Sequence, residues 1–231
     1  MKYQAVIFDL FGTLVNIFSR SEYEKTLAEM AAILKAPYSE FEKVWYRTAG
    51  ERATGEFRTL EENIKYIGRE LKITVSEKQK KRACQARYKL FASFLTPKPD
   101  AIEILLKLKA DGYKIGLISN CSHEAPIIWP DTPFAPLFDA AIFSSTAGLQ
   151  KPDPRIYQLA LQKLAVKPEE CLYIGDGDGN ELTGAAQVGM RPVLLRNPGE
   201  DKQKVMRYSY QGDTWDGAVI TSLREVLDLV I

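Results

Sequence analysis

Tyr3-Gln4-Ala5-Val6-Ile7-Phe8-Asp9-Leu10-Phe11-Gly12-Thr13 is a short apolar run that stops at an acid and turns on a glycine. A run of this length, bounded by such a turn, reads as a strand. What lies next to it decides the fold. From about Ser19 to Leu95 the apolar residues recur at helical spacing: Tyr23, Leu27, Met30 and Leu34, then Phe41, Val44, Trp45 and Thr48. Ile64, Ile67 and Leu71 mark a third helix, and Ala83, Leu90, Phe91 and Phe94 a fourth. A capping-box pattern precedes each run: Ser21 with Glu24, Ser39 with Glu42, Thr59 with Glu62, Ser76 with Gln79. In such a box the hydroxyl accepts from a free helix N–H while the acid or amide reaches back to the cap residue. The stretch is expected to be a small helical bundle.

Thr96-Pro97-Lys98-Pro99 breaks that pattern, and helices then alternate with apolar strands. Helices are expected at Ala101 to Ala110, Pro154 to Leu164 and Glu181 to Val188. Strands are expected at Tyr113 to Ser119, Ala140 to Phe143, Cys171 to Gly175 and Pro192 to Leu195. One more strand near Val219 and a closing helix follow. Alternation of this kind implies an α/β fold, a doubly wound, Rossmann-like parallel sheet joined by right-handed crossovers. A helical bundle is inserted directly after its first strand.

The composition narrows the partners. The 231 residues are 45% apolar with a formal net charge of +1, so a core can be buried and neither nucleic acid nor a membrane is expected as partner. The basic run Lys78 to Arg82 reads as a solvated helix face. The first apolar stretch is too short for a signal peptide, and none approaches the roughly 20 residues of a membrane span. The three cysteines, Cys84, Cys121 and Cys171, form no Cys-x-x-Cys pair, so reduced thiols and a cytoplasmic location are expected. The single histidine, His123, rules out a multi-histidine metal site within the chain and reads as an ordinary loop residue.

Ligands of doubly wound sheets bind beyond the carboxyl ends of the strands. Reactive residues fall there. Asp9 follows the first strand, Ser119 and Asn120 the second, and Asp176 a later one, while Lys151 sits in a strand-to-helix loop. A carboxylate can attack phosphorus, a lysine and a hydroxyl can neutralise and orient the transferred oxygens, and clustered carboxylates can hold Mg²⁺.

This set resembles the haloacid dehalogenase-like hydrolase superfamily, in the subclass whose helical cap is inserted after the first strand. The motifs are Phe8-Asp9-Leu10-Phe11-Gly12-Thr13-Leu14, Ile118-Ser119-Asn120, Lys151-Pro152-Asp153-Pro154-Arg155-Ile156-Tyr157 and Ile174-Gly175-Asp176-Gly177-Asp178-Gly179-Asn180-Glu181. Gly184-Ala185 and Val188-Gly189-Met190 also look like the family. The resemblance implies a catalytic core of residues 1–15 and 97–231 and a cap domain of residues 16–96. It makes Asp9 the nucleophile and a metal ligand, Ser119 a donor to the transferred group with Asn120 beside it, and Lys151 the stabiliser of Asp9 and of developing charge. Asp176, Glu181 and the backbone carbonyl of Phe11 complete the expected Mg²⁺ site.

Two positions depart from the family pattern. Phosphatases of this superfamily usually carry a second aspartate, the general acid and base, where this chain has Phe11. Loss of a general acid costs on the order of 100- to 10,000-fold, most for poor leaving groups. Glu181 stands where an aspartate is commoner, and Asp178 is both a candidate to assist it and an ordinary turn residue. The resemblance implies a Mg²⁺-dependent phosphohydrolase acting on a small phosphorylated metabolite, as a monomer or homodimer. Alternatives are a 2-haloacid dehalogenase-type or phosphonate hydrolase, and a catalytically silenced protein that binds a phosphorylated ligand. Trp45, Tyr46, Arg47, Arg52 and Arg58 are candidates to reach a substrate that packing and surface charge explain as well. Cys121 reads as a small loop residue, and Trp129-Pro130-Asp131-Thr132-Pro133 as a stiff loop.

Overall fold

The run that opens the sequence folds as β1 (Ala5–Phe8), all four residues buried. An unbroken apolar strand of this kind needs cover on both faces. The computed structural model, which describes residues 3–199, 201, 203–206 and 215–230, supplies it. The other strands are β2 (Lys114–Ser119), β3 (Ala140–Phe143), β4 (Cys171–Gly175), β5 (Arg191–Leu195) and β6 (Val219–Ile220). They form one sheet of order β3-β2-β1-β4-β5-β6, and every neighbouring pair is parallel. β1 is therefore central, and the chain's winding reverses between β1 and β4, the place where such sheets leave a crevice.

Between β1 and β2 lie α1 (Arg20–Leu34), α2 (Tyr38–Arg47), α3 (Ala49–Ala53), α4 (Leu60–Glu70), α5 (Glu77–Phe94) and α6 (Ala101–Ala110). The short α7 (Glu124–Ile128) follows β2, and α8 (Ser144–Ala147) and α9 (Pro154–Leu164) follow β3. α10 (Glu181–Gln187) joins β4 to β5, and α11 (Val226–Val230) follows β6. The strand's alternation divides the core. Val6 and Phe8 pack with Leu105, Leu108 and Val226, while Ala5 and Ile7 pack with Tyr157, Leu161 and Ala185 on the opposite face. The helical insertion joins the first of these clusters through Leu27, Met30, Ile64, Ile67 and Phe91. Burying each such side chain contributes about 1.5–3 kcal/mol, which is what holds helices of modest intrinsic stability together.

The expected elements are present, with corrections at the helix starts. Thr59 and Ser76 cap their helices as expected: Thr59 accepts from Glu62 N at 3.2 Å, and Ser76 forms a full reciprocal box with Gln79. Glu62, however, reaches back to Arg58 N rather than to the cap residue. Ser21 and Ser39 cap nothing, because both lie inside their helices. α1 begins where Phe18–Arg20 pairs with residues 203–206: Arg20 N donates to Lys204 O, and Met206 N to Phe18 O, each at 2.8 Å. α2 begins directly after Pro37, and Glu42 accepts from Tyr38 OH at 2.7 Å instead of capping. The bundle also holds one helix more than the four expected, the single-turn α3. The Trp129 loop is a packing anchor, its indole stacked on Phe134 at 5.7 Å and meeting Phe138 and Phe143 edge-on.

Candidate active site

Asp9 leaves the carboxyl end of β1, and its backbone N–H donates to Ile174 O of β4 at 2.9 Å. That bond sets the Asp9 carboxylate level with the end of β4, one residue before Asp176. Lys151 arrives from the loop between α8 and α9. Asn120 holds its backbone at both ends, accepting from Lys151 N at 2.8 Å and donating to Lys151 O at 3.0 Å. The loop is closed by Asp153, which accepts from Arg155 N at 2.9 Å and caps α9 ahead of Pro154. Lys151 Nζ then lies 2.6 Å from Asp9 Oδ1 and 2.5 Å from Glu181 Oε2. Tyr173 OH donates to Glu181 Oε2 at 2.7 Å, and Gly177 N donates to Glu181 Oε1 at 3.0 Å. The longer stem of glutamate is what lets residue 181 reach Lys151 and Tyr173 from the first turn of α10.

Asp9, Asp176 and Glu181 each place a carboxylate oxygen within 4.8 Å of the others. Three carboxylates thus face one ammonium in a largely buried setting. Burial alone would lower the Lys151 pKa, but Asp9 and Glu181 outweigh it and hold the ammonium charged. Burial, with Asp9 and Asp176 adding to it, pushes the Glu181 carboxyl up to about 8 despite Lys151. Asp9 Oδ2 and Ser119 Oγ are buried and have no hydrogen-bond partner among the described residues. A surplus of carboxylates and an orphaned Asp9 oxygen fit a divalent cation, which takes oxygen ligands. The backbone is shaped to match. Gly12 has φ +88°, and a Cβ there would stand 2.0 Å from Asp176 Oδ2, so only glycine allows this approach. The Gly12 carbonyl accepts from Asn197 Nδ2 at 2.9 Å and from Lys98 Nζ, which also donates to Asn197 Oδ1 at 2.8 Å.

A cavity of about 770 Å³ opens above these groups, between the sheet and the helical insertion. Asp9, Asn120, Lys151, Asp176, Asp178 and Glu181 line its floor. Ser119 does not line it and is fully buried behind. Phe11 lines the wall, its ring 5.0 Å from Phe18 and edge-on to Phe91 at 6.2 Å. Cys121 also lines it, and burial pushes its thiol up to about 12, so it is no nucleophile at neutral pH. His123 stands half-buried at the start of α7, outside the cavity.

Of the five insertion residues named from sequence, Tyr46 and Arg52 line the cavity. Trp45 is buried in the core, Arg47 pairs with Glu70, and Arg58 does not reach the cavity. Sequence reasoning missed Tyr23 and Arg87. Arg87 is buried, donates from Nε to Glu124 Oε1 at 2.8 Å and from Nη2 to Tyr23 OH at 3.2 Å, and has the rings of Tyr23, Trp45 and Phe91 about it. The signal was present: Arg87 falls in phase with Ala83, Leu90 and Phe91, a charge inside an apolar stripe. Nothing in the sequence flags the contact of Lys98 and Asn197 with Gly12.

Known proteins resemble this chain along most of its length. The sequence model for "haloacid dehalogenase-like hydrolase" matches residues 3–189. An (S)-2-haloacid dehalogenase of Pseudomonas putida is 29% identical over 98% of this chain and 94% of its own. A glyceraldehyde 3-phosphate phosphatase of Pyrococcus furiosus is 27% identical over 98% of this chain and 92% of its own. Among solved structures, a HAD family enzyme of Bacteroides thetaiotaomicron in complex with magnesium and inorganic phosphate aligns with a TM-score of 0.64 at 20% identity, over 87% of this chain and 97% of that one.

Proposed function

Because this chain belongs to the haloacid dehalogenase-like hydrolases, we propose that it is a Mg²⁺-dependent phosphohydrolase acting on a small phosphorylated compound. The observation that carries this reading is the trio of Asp9, Asp176 and Glu181, the first and last buried and Asp176 half-buried, gathered about the single ammonium of Lys151 at the switch point of the sheet. Three carboxylates are more than one ammonium balances, which argues against a metal-independent displacement. In this reading Asp9, Asp176, Glu181 and the Phe11 carbonyl would hold Mg²⁺, which supplies positive charge against the transferred oxygens. Asp9 attacks phosphorus and forms an aspartyl-phosphate as the leaving oxygen departs with the bonding electrons. Water then attacks the phosphorus of that mixed anhydride, releasing inorganic phosphate and freeing the Asp9 carboxylate. Lys151 pairs with the Asp9 carboxylate and meets the developing charge. Asn120 holds Lys151 in place and, from the cavity floor, is assigned to the transferred group; Ser119, fully buried behind it, would have to be uncovered to share that part. Residues 16–96 act as the cap domain over a core of residues 1–15 and 97–231. With Phe11 in the acid position, leaving groups that depart as stable anions are handled best.

The fully matched phosphatase and dehalogenase relatives leave a second reading, favoured by Phe11. A carbon–halogen bond releases a halide that needs no proton, so a 2-haloacid would suit an acid-free site. Halide release from 2-haloacids is its assay. Manganese titration followed by electron paramagnetic resonance, with magnesium competition, tests the first reading. One site that magnesium displaces, weakened in Asp176→Asn, is expected. Absence of divalent-metal binding would remove the reading. Among the described residues no helix is long and apolar enough to cross a membrane.

A further inference from the structure

Tyr23 stands on the cavity wall with a hydroxyl whose bonding is unusually determined. Trp45 Nε1 is 3.0 Å from Tyr23 OH, and Arg87 Nη2 is 3.2 Å from it. An indole N–H and a guanidinium can only donate, so the Tyr23 oxygen accepts from both. Its own proton serves neither bond, and no acceptor for it is found among the described residues. The Arg87 guanidinium polarises this hydroxyl and strengthens it as a donor.

The surroundings say what the proton meets. Between Tyr23 and Asp9 the wall is aromatic: Phe18 lies 5.9 Å from Tyr23 and 5.0 Å from Phe11, ring centre to ring centre. The insertion's share of the lining carries Arg20, Lys43, Arg52 and Arg87 against Glu24 and Glu42. Arg20 and Glu24 stand 4.0 Å apart, and Glu42 accepts from Tyr38 OH. Lys43 pairs with Glu40 at 3.0 Å and Arg87 with Glu124 at 2.8 Å, so the charges at the far end are largely balanced among themselves. What that end offers a ligand is the Tyr23 proton, which an anionic oxygen accepts most strongly, while the middle offers a flat apolar surface and the floor takes the phosphoryl group.

Resting on the phosphohydrolase reading, we propose that Tyr23 is a specificity-determining residue that donates to an anionic oxygen, a carboxylate, at the end of the leaving group remote from phosphorus. The substrate class is an aryl or similarly flat phosphate ester bearing that carboxylate. Its body lies along Phe11, Phe18 and Phe91. Tyr23 forms a hydrogen bond and transfers no proton, so it acts on selection and not on the bond that breaks.

The test compares 4-carboxyphenyl phosphate with phenyl phosphate, with magnesium, in wild type and Tyr23→Phe. Wild type is expected to favour the carboxylated ester in kcat/KM by about tenfold or more, the size of a charge-assisted hydrogen bond, beyond the intrinsic difference of the two esters in solution. In Tyr23→Phe that preference collapses toward the ratio the two esters show in solution. The ratio within one protein does not depend on the fraction folded, and Tyr23→Met supplies the same comparison should the first variant not fold. No preference in wild type, or an undiminished preference in the variants, overturns the proposal. If neither ester is turned over, the phosphohydrolase reading fails separately. Calorimetric binding of 4-carboxyphenylphosphonate against phenylphosphonate then decides on Tyr23: a tenfold margin lost in Tyr23→Phe upholds it, and an equal or absent affinity refutes it.

Discussion

Replacing Arg87 by methionine leaves the Glu124 carboxylate, 1% exposed, without the cation 2.8 Å away, and strips charge from beside three aromatic rings. Breaking one side of such a buried pair costs about 3–5 kcal/mol, because the remaining charge is left uncompensated. In a chain of this length each kcal/mol moves Tm by about 2–4 °C, so a fall of roughly 6–20 °C is expected. The pH dependence sharpens the test. In wild type burial would raise the Glu124 pKa, but Arg87, with Ser122, holds it below its ordinary 4.5, so its stabilisation is present above that value and lost as pH falls. Without Arg87 the burial penalty outweighs the hydrogen bond from Ser122, and Glu124 takes up a proton on folding. The variant's deficit is therefore largest near pH 8 and shrinks toward pH 5. Urea unfolding of wild type, Arg87→Met and Arg87→Met/Glu124→Gln across that range measures it, and the double variant should recover part of the loss. A deficit below about 1 kcal/mol, or one independent of pH, would refute the reasoning.

Phe11→Asp places a carboxyl where the cavity wall now offers only a ring. Hydrolysis of alkyl phosphates should rise on the order of 100-fold, with a much smaller gain for aryl phosphates whose leaving group needs no proton, read as kcat on a substrate series. Gly12→Ala forces a Cβ to within 2.0 Å of Asp176 Oδ2 at φ +88°. Divalent-metal affinity should fall at least about tenfold and Tm should drop, because strain at a left-handed position costs about 1–3 kcal/mol, while unchanged metal binding would detach Asp176 from the metal site.

The sheet was legible because each strand is an apolar run closed by a polar turn, and the parallel order follows from helices lying between them. The same logic exposed Asp9, Asp176 and Lys151, since chemistry in this architecture collects at strand ends. Helix starts were less legible. Ser21 and Ser39 carry the right spacing for a cap, yet α1 is begun by pairing with residues 203–206 and α2 by Pro37. Local signals lose to distant partners that satisfy the same N–H groups. Tyr23 was legible only as an apolar-stripe residue, because its donors, Trp45 and Arg87, are 22 and 64 positions away. Lys98 looked like a residue between two prolines, and its hold on the Gly12 carbonyl, shared with Asn197, spans 86 positions.

Hydrolysis of p-nitrophenyl phosphate by wild type and Asp9→Asn, with and without magnesium, tests the central claim most directly. Its leaving group departs as a stabilised anion, so Phe11 handicaps it least. Turnover that requires both magnesium and the Asp9 carboxylate is the predicted result. Turnover that survives Asp9→Asn, or no turnover by folded, metal-loaded wild type, would contradict it.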